Sequence, residues 1–310
     1  MSRFIQIVEV GPRDGLQNEK LSLSVDEKLD LIRKLEAAGA RRTEVVSFVN
    51  PNRVPQMAGA EEIMAALIPD QRTPDLDHSR IGLVLNMRGW ERCVSAGCDE
   101  ANVVVCATDG FGLANQGATA AQQVDALAAI VERQAVEGGP PITATISVAF
   151  GCPFDGEVSE DQVVAIARDA ASMGVAEIAI ADTIGVADPW TVRRRIEAVR
   201  AAAPDVRLRL HFHDTRNTGL ANAYAGVEAG VDVLDASVGG LGGCPFAPNA
   251  TGNIGTEDLV YMLERAGFET TYDLAQLIEL GNWASSLVGK SPAASVSRAG
   301  GFPSQAQEVA

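Results

Sequence analysis

Eight times along this chain a short run of β-branched and apolar residues gives way to a longer segment with helical spacing. This alternation limits the fold more than any other feature. The runs are FIQIVEV (4–10), RTEVVSF (42–48), IGLVLN (81–86), ANVVVCA (101–107), TATISVAF (143–150), EIAIAD (177–182), VRLRLHFH (206–213) and VDVLDASV (231–238). Strands separated by helices cannot pair as hairpins; each connection must cross over, which makes the sheet parallel. Eight units within about 270 residues favour closure into an α/β barrel, the (β/α)8 or TIM barrel, over an open doubly wound sheet. No GxGxxG follows the first run, so the dinucleotide-binding alternative lacks its usual signature.

The helical segments carry their own boundaries. SVDEKLDLIRKLEAAG (24–39) opens on Ser24 as a cap and stops at Gly39, and SEDQVVAIARDAASMG (159–174) repeats the scheme with Ser159 and Gly174. One barrel domain is expected over 1–288, including an additional C-terminal helix in LAQLIELGNWASSLVG. A Ser/Ala/Gly-rich tail (289–310), expected to be mobile at its end, follows it.

With 41 acidic residues against 25 basic ones the net charge is −16, which repels phosphates and argues against a nucleic-acid partner. An anionic substrate would therefore depend on individual arginines near the site. The start, MSRFIQIVEVGPRDG, runs straight into a strand, and no apolar run approaches the ~18 residues of a membrane span. The expectation is a cytoplasmic protein with no membrane contact. Five cysteines, an odd number without CxxC spacing, read as reduced thiols. Cys93, Cys98, Cys106 and Cys152 are expected to pack; Cys244 follows GGLGG, a tightly turning stretch better suited to chemistry than to packing.

Active sites of this fold lie at the C-terminal ends of the strands. Polar residues gather there: Arg13 and Asp14 after the first run, Glu44 in the second, Asn86 ending the third and Asp182 the sixth. His211, His213 and Asp214 end the seventh. Residues i and i+2 of a strand share a face, so His211 and His213 can aim two imidazoles into the barrel mouth. A pair of buried histidines bonded to backbone is the plain alternative. Asp14 on the same rim favours a divalent cation, and added oxygen ligands would shift the preference toward Mg2+ or Mn2+.

Longer stretches carry a resemblance: VEVGPRDGLQNEK (8–20), SFVNPNRVPQMAGAEE (47–62), GCPFDGEVS (151–159), ADTIGVADP (181–189), HFHDT (211–215) and GGLGGCPFAPNATGNIGTEDLVYMLE (239–264). Together they resemble the hydroxymethylglutaryl-CoA lyase family over nearly the whole barrel. The resemblance implies an acyl-CoA substrate and metal-dependent retro-Claisen cleavage of 3-hydroxy-3-methylglutaryl-CoA, or a close 3-alkyl analogue, to acetyl-CoA and acetoacetate. That reaction belongs to leucine degradation, among other routes. The resemblance also implies a homo-oligomer and metal ligands at Asp14, His211, His213 and Asn253. The essential arginine falls on Arg13, the catalytic cysteine on Cys244, supporting acids on Glu44 and Asp182, and a substrate-side polar residue on Gln17. Asp14, His211 or a bound water could take the hydroxyl proton. The chain departs from the family where HxHDT continues as RNTG and where Thr145 replaces a barrel-interior tyrosine. Arg216 and the space near Thr145, with Asn86, are therefore expected to shape the acyl pocket. A condensing synthase of 2-oxo acids with acetyl-CoA and a 4-hydroxy-2-oxo acid aldolase are the competing readings.

Overall fold

The computed structural model describes residues 3–68, 78–243 and 252–303. Eight parallel strands close in sequence order: β1 (Gln6–Glu9), β2 (Arg42–Ser47), β3 (Ser79–Val84), β4 (Glu100–Cys106), β5 (Ile142–Ser147), β6 (Glu177–Asp182), β7 (Arg207–Phe212) and β8 (Val233–Ala236). Closure is made by β8 against β1, with Val8 opposite Asp235. Each expected run contains or overlaps one strand, so the TIM barrel is the fold.

Helices α1 (Val25–Ala37), α2 (Ala60–Leu67), α3 (Met87–Ser95), α4 (Asp109–Asn115), α5 (Ala120–Glu137), α6 (Glu160–Met173), α7 (Pro189–Ala202), α8 (Gly219–Glu228) and α9 (Thr256–Arg265) follow the strands. Ser24 and Ser159 each close a reciprocal capping box, with Glu27 and Gln162, and Gly174 ends α6 in the left-handed conformation that costs glycine little. The additional helix, α10 (Leu274–Leu287), packs outside the barrel beside α9 and α1. Within the expected tail, α11 (Ser295–Ala299) docks on α9, where Asp258 accepts from the amides of Ser295 and Val296 at 2.9 and 2.6 Å. No helix among the described residues is long and apolar enough to cross a membrane.

Branched apolar side chains commonly fill such a barrel. Here the lower and middle layers hold charge. Arg42 bridges Glu100 and Glu177 at 2.5 and 2.8 Å, and Arg209 grips Asp235 while lying 3.8 Å from Glu44 and 3.9 Å from Glu177. Buried charge is tolerated only when paired and hydrogen-bonded, so these residues act as one network. It rises from the barrel floor to the underside of the site.

Candidate active site

After β1 the chain makes one π-helical turn, Gly11–Gly15, begun by Pro12. The turn places the adjacent residues Arg13 and Asp14 on one cavity of about 1260 Å3 at the C-terminal mouth of the barrel. Arg13 donates through Nε and Nη2 to both oxygens of Glu44, at 3.0 and 3.2 Å, and through Nη1 to Asp14 Oδ1 at 2.7 Å. Two carboxylates thus fix the guanidinium fork, a geometry that lysine could not reproduce.

The other oxygen of Asp14 faces β7, whose alternation points Arg209, His211 and His213 inward. The Nε2 atoms of His211 and His213 lie 3.9 and 3.4 Å from Asp14 Oδ2. Ligand atoms of the three residues fall within 4.8 Å of one another, which is compact enough for one ion. Asn253 joins them through a bridge to His213: its Nδ2 donates to Asp14 Oδ2 at 2.8 Å, while its buried Oδ1 has no partner. A buried, unpartnered amide oxygen beside two imidazoles and a carboxylate fits a divalent cation. The four residues expected as ligands are therefore brought together.

Burial disfavours charge on Asp14, but the Arg13 guanidinium and the two histidines hold its carboxyl well below the usual range. Asp235 is likewise held low against burial by Arg209 and by its bond to His211 Nδ1 at 2.9 Å. Burial opposes the cationic form of His211, yet Asp235 and Asp14 raise its pKa on balance. Asp235 thereby orients His211 with Nε2 toward Asp14. The sequence reading missed Asp235 and Arg209. The available signal was the same period of two, read backward from His211 to Arg209 and along β8.

Other expected residues are placed differently. Gln17 and Asn86 line the cavity, and Asn86 also caps α3 by accepting from Gly89 N at 3.0 Å. Thr145 lines its floor with Asn102 and Ser147, donating to Asn102 Oδ1 at 2.6 Å; Asn102 in turn donates to Glu44 at 3.3 Å. Asp182 was expected as a supporting acid of the site. Instead both its oxygens accept backbone amides, Val186 and Ala187 at 2.9 Å each, so it shapes the β6–α7 loop. Arg216 was expected at the acyl pocket but turns away from the cavity lining, donating to the carbonyls of Ile184 and Gly185 at 3.0 and 2.9 Å. Its Nη1 holds that same loop. Cys244 lies outside the described residues, and the other four cysteines are buried free thiols.

Fold and site define a (β/α)8 enzyme with a compact His/Asp/Asn constellation beside a fixed arginine. The HMGL-like family model matches residues 4–283, so the chain belongs to that family and is a lyase of this type. It is 42% identical to the (R)-citramalyl-CoA lyase of Chloroflexus aurantiacus over 96% of this chain and 95% of that one. Identity to the 3-hydroxy-3-isohexenylglutaryl-CoA/hydroxymethylglutaryl-CoA lyase of Pseudomonas aeruginosa is 39%, over 94% and 95% of the two chains. A solved HMG-CoA lyase from Acinetobacter baumannii, in complex with coenzyme A and 3-methylmalate, superposes with a TM-score of 0.89. It is 39% identical and covers 97% of this chain and 98% of its own.

Proposed function

We propose that this chain is a CoA-ester lyase, dependent on Mg2+ or Mn2+, that cleaves 3-hydroxy-3-methylglutaryl-CoA to acetyl-CoA and acetoacetate. The carrying observation is that Asp14, His211 and His213 converge within 4.8 Å beside an Arg13 locked by two carboxylates. A divalent cation held there by these residues and Asn253 would supply the positive charge that makes a tertiary hydroxyl acidic near neutral pH. The bond that breaks joins the carbinol carbon to the carbon beside the thioester carbonyl. As the hydroxyl gives its proton to a base at the site (Asp14, His211 or a bound water) and becomes the ketone of acetoacetate, that bond's electron pair passes to the acetyl-CoA enolate. Arg13 is a fixed cation lining the cavity, suited to that developing charge. Cys244 gives the enolate carbon its proton, a role resting on the family resemblance. Farther out, Arg53 and Arg88 line the cavity and form no ion pair among the described residues, which suits the phosphates of coenzyme A.

A second reading is favoured by the 42% relative and by the polar floor of Asn102, Thr145 and Ser147. Citramalyl-CoA shares the same 3-hydroxy-3-methyl thioester unit, carries its carboxylate one carbon closer, and would release pyruvate. The test is turnover of both thioesters by the purified protein with Mg2+, with Mn2+ and with EDTA, following acetyl-CoA together with each oxo acid. Metal-dependent acetoacetate formation at the higher kcat/KM supports the first reading, and preferential pyruvate formation supports the second. Activity untouched by EDTA on a protein shown to be metal-free would sink the metal-dependent mechanism.

A further inference from the structure

Beside the π-turn that carries Arg13 and Asp14, but outside the cavity lining, the chain leaves the C-terminal end of β8 through a tight turn, Val238–Gly240, and continues in sequence toward Cys244. Two buried carboxylates hold the turn by successive amides. Glu9 accepts from Val238 N at 3.0 Å, and Glu257, at the start of α9, accepts from Gly239 N at 2.8 and 3.0 Å. The Gly239 carbonyl is taken as well, by the amides of Ala293 and Ala294 at 2.9 and 3.2 Å. Ser297 in α11 then donates to the same Glu257 Oε1 at 2.8 Å. Past the turn, the Leu241 carbonyl accepts from Asn253 Nδ2 at 3.3 Å and the Gly243 carbonyl from Asn18 at 3.1 Å. A segment some fifty residues beyond the turn thus grips it from behind, although Ala293, Ala294, Ser297 and Glu257 do not line the cavity.

We infer that residues 293–297, gripping the Gly239 carbonyl directly through Ala293 and Ala294 and its amide through Ser297 and Glu257, are a positioning element for the reaction, fixing the turn from which the chain runs on to Cys244. The inference rests on the proposed role of Cys244. It separates two ways of losing activity. A loosened turn impairs delivery of the final proton and lowers kcat; of the residues proposed to hold the metal, Asp14 lies in the π-turn after β1 and His211 and His213 at the end of β7, and only Asn253 touches the segment past the turn, through the Leu241 carbonyl, so the metal stays bound. Ser297→Ala removes one hydroxyl from the grip and leaves the cavity lining untouched.

The experiment uses the full chain with Mn2+ and compares wild type, Ser297→Ala, Glu257→Gln and the double variant. In Ser297→Ala, kcat is expected to fall about tenfold, as small misplacements remote from the chemistry do, with KM and Mn2+ affinity within about twofold of wild type. Backbone hydrogen exchange in peptides spanning 237–243 should quicken about tenfold in the same variant. Ser297→Ala should add little in the Glu257→Gln background, because one residue acts through the other. An unchanged kcat with unchanged exchange overturns the inference. So do additive effects in the double variant, or a parallel loss of Mn2+ affinity and thermal stability, which would mark a general structural role. If wild type turns over neither thioester, the proposed function fails, and the exchange comparison still decides whether Ser297 and Glu257 hold the turn.

Discussion

Asp14 is the residue at which the site's electrostatics meet. One of its oxygens takes Arg13, and the other faces both imidazoles and Asn253. Arg13 is neutralised from two sides, so it can sit buried next to the proposed cation site without repelling an ion there outright. Beneath, the relay from Arg209 through Asp235 to His211 fixes which ring nitrogen is offered, as outer partners of metal-binding histidines commonly do. Asp235→Asn keeps the shape but loses the charge that Arg209 and His211 both face. Mn2+ affinity, followed by electron paramagnetic resonance, should weaken about 10- to 100-fold. Unaltered affinity would mean that His211 is oriented by something else.

At the scale of elements, the site is assembled from strand ends and the turns that follow them. Strand β7 contributes by alternation alone, whereas β1 contributes through the π-turn and β8 through the Val238–Gly240 turn. Gly239 has φ +66°, and a Cβ there would lie 2.6 Å from Ser285 Oγ and 3.0 Å from the Gly281 carbonyl. Both the backbone and the close approach of α10 require glycine. Gly239→Ala should therefore lose about 1–3 kcal/mol of stability in urea unfolding. A loss below the lower figure would show that the turn relaxes freely. A second strained position is Val148, buried with φ +50° directly after Ser147, its amide held by the Thr183 hydroxyl at 2.8 Å. A β-branched residue is rarely found in this region, and here it sits at the edge of the cavity floor.

For the whole molecule, charge is concentrated inside as well as outside. Besides the ion-paired network of the barrel, burial pushes the pKa of Glu9 up to about 8 and that of Glu257 to about 7, the bonds each accepts only partly offsetting it. Burial raises the pKa of the Tyr272 phenol, with Glu9 and Glu257 adding to the rise and Arg41 opposing it, and Glu257 adds to the rise at Glu9. The folded state therefore holds protons that the unfolded chain releases above its ordinary carboxylate pKa of 4.5. Their stabilising contribution is full below that value and is lost as pH climbs toward about 8, so thermal stability should decline between pH 5 and pH 9 in the window these groups set. Glu9→Gln, which keeps an acceptor for Val238 and Gly11 without a titrating proton, should flatten the decline in calorimetry. An identical slope in the variant would place the titration elsewhere.

Much of this was legible before folding. The eight strands, the capped starts of α1 and α6, and the grouping of Asp14 with His211 and His213 follow from local periodicity, capping chemistry and position along the strands, which operate over a few residues at a time, whereas Asn253 was reached only through the family resemblance. What each polar side chain finally bonds was not legible, because that is settled between strands distant in sequence. Arg216 and Asp182 have the right residue types near the right strand ends, yet backbone groups of the β6–α7 loop engage them first. Asp235 looked like one more acid in a strand until closure of β8 beside β7 set it against His211 and Arg209. The sequence by itself determined the barrel and the residues that rim its mouth. Only the tertiary structure decided which of them face the cavity, because buried charge must find its partner across the fold.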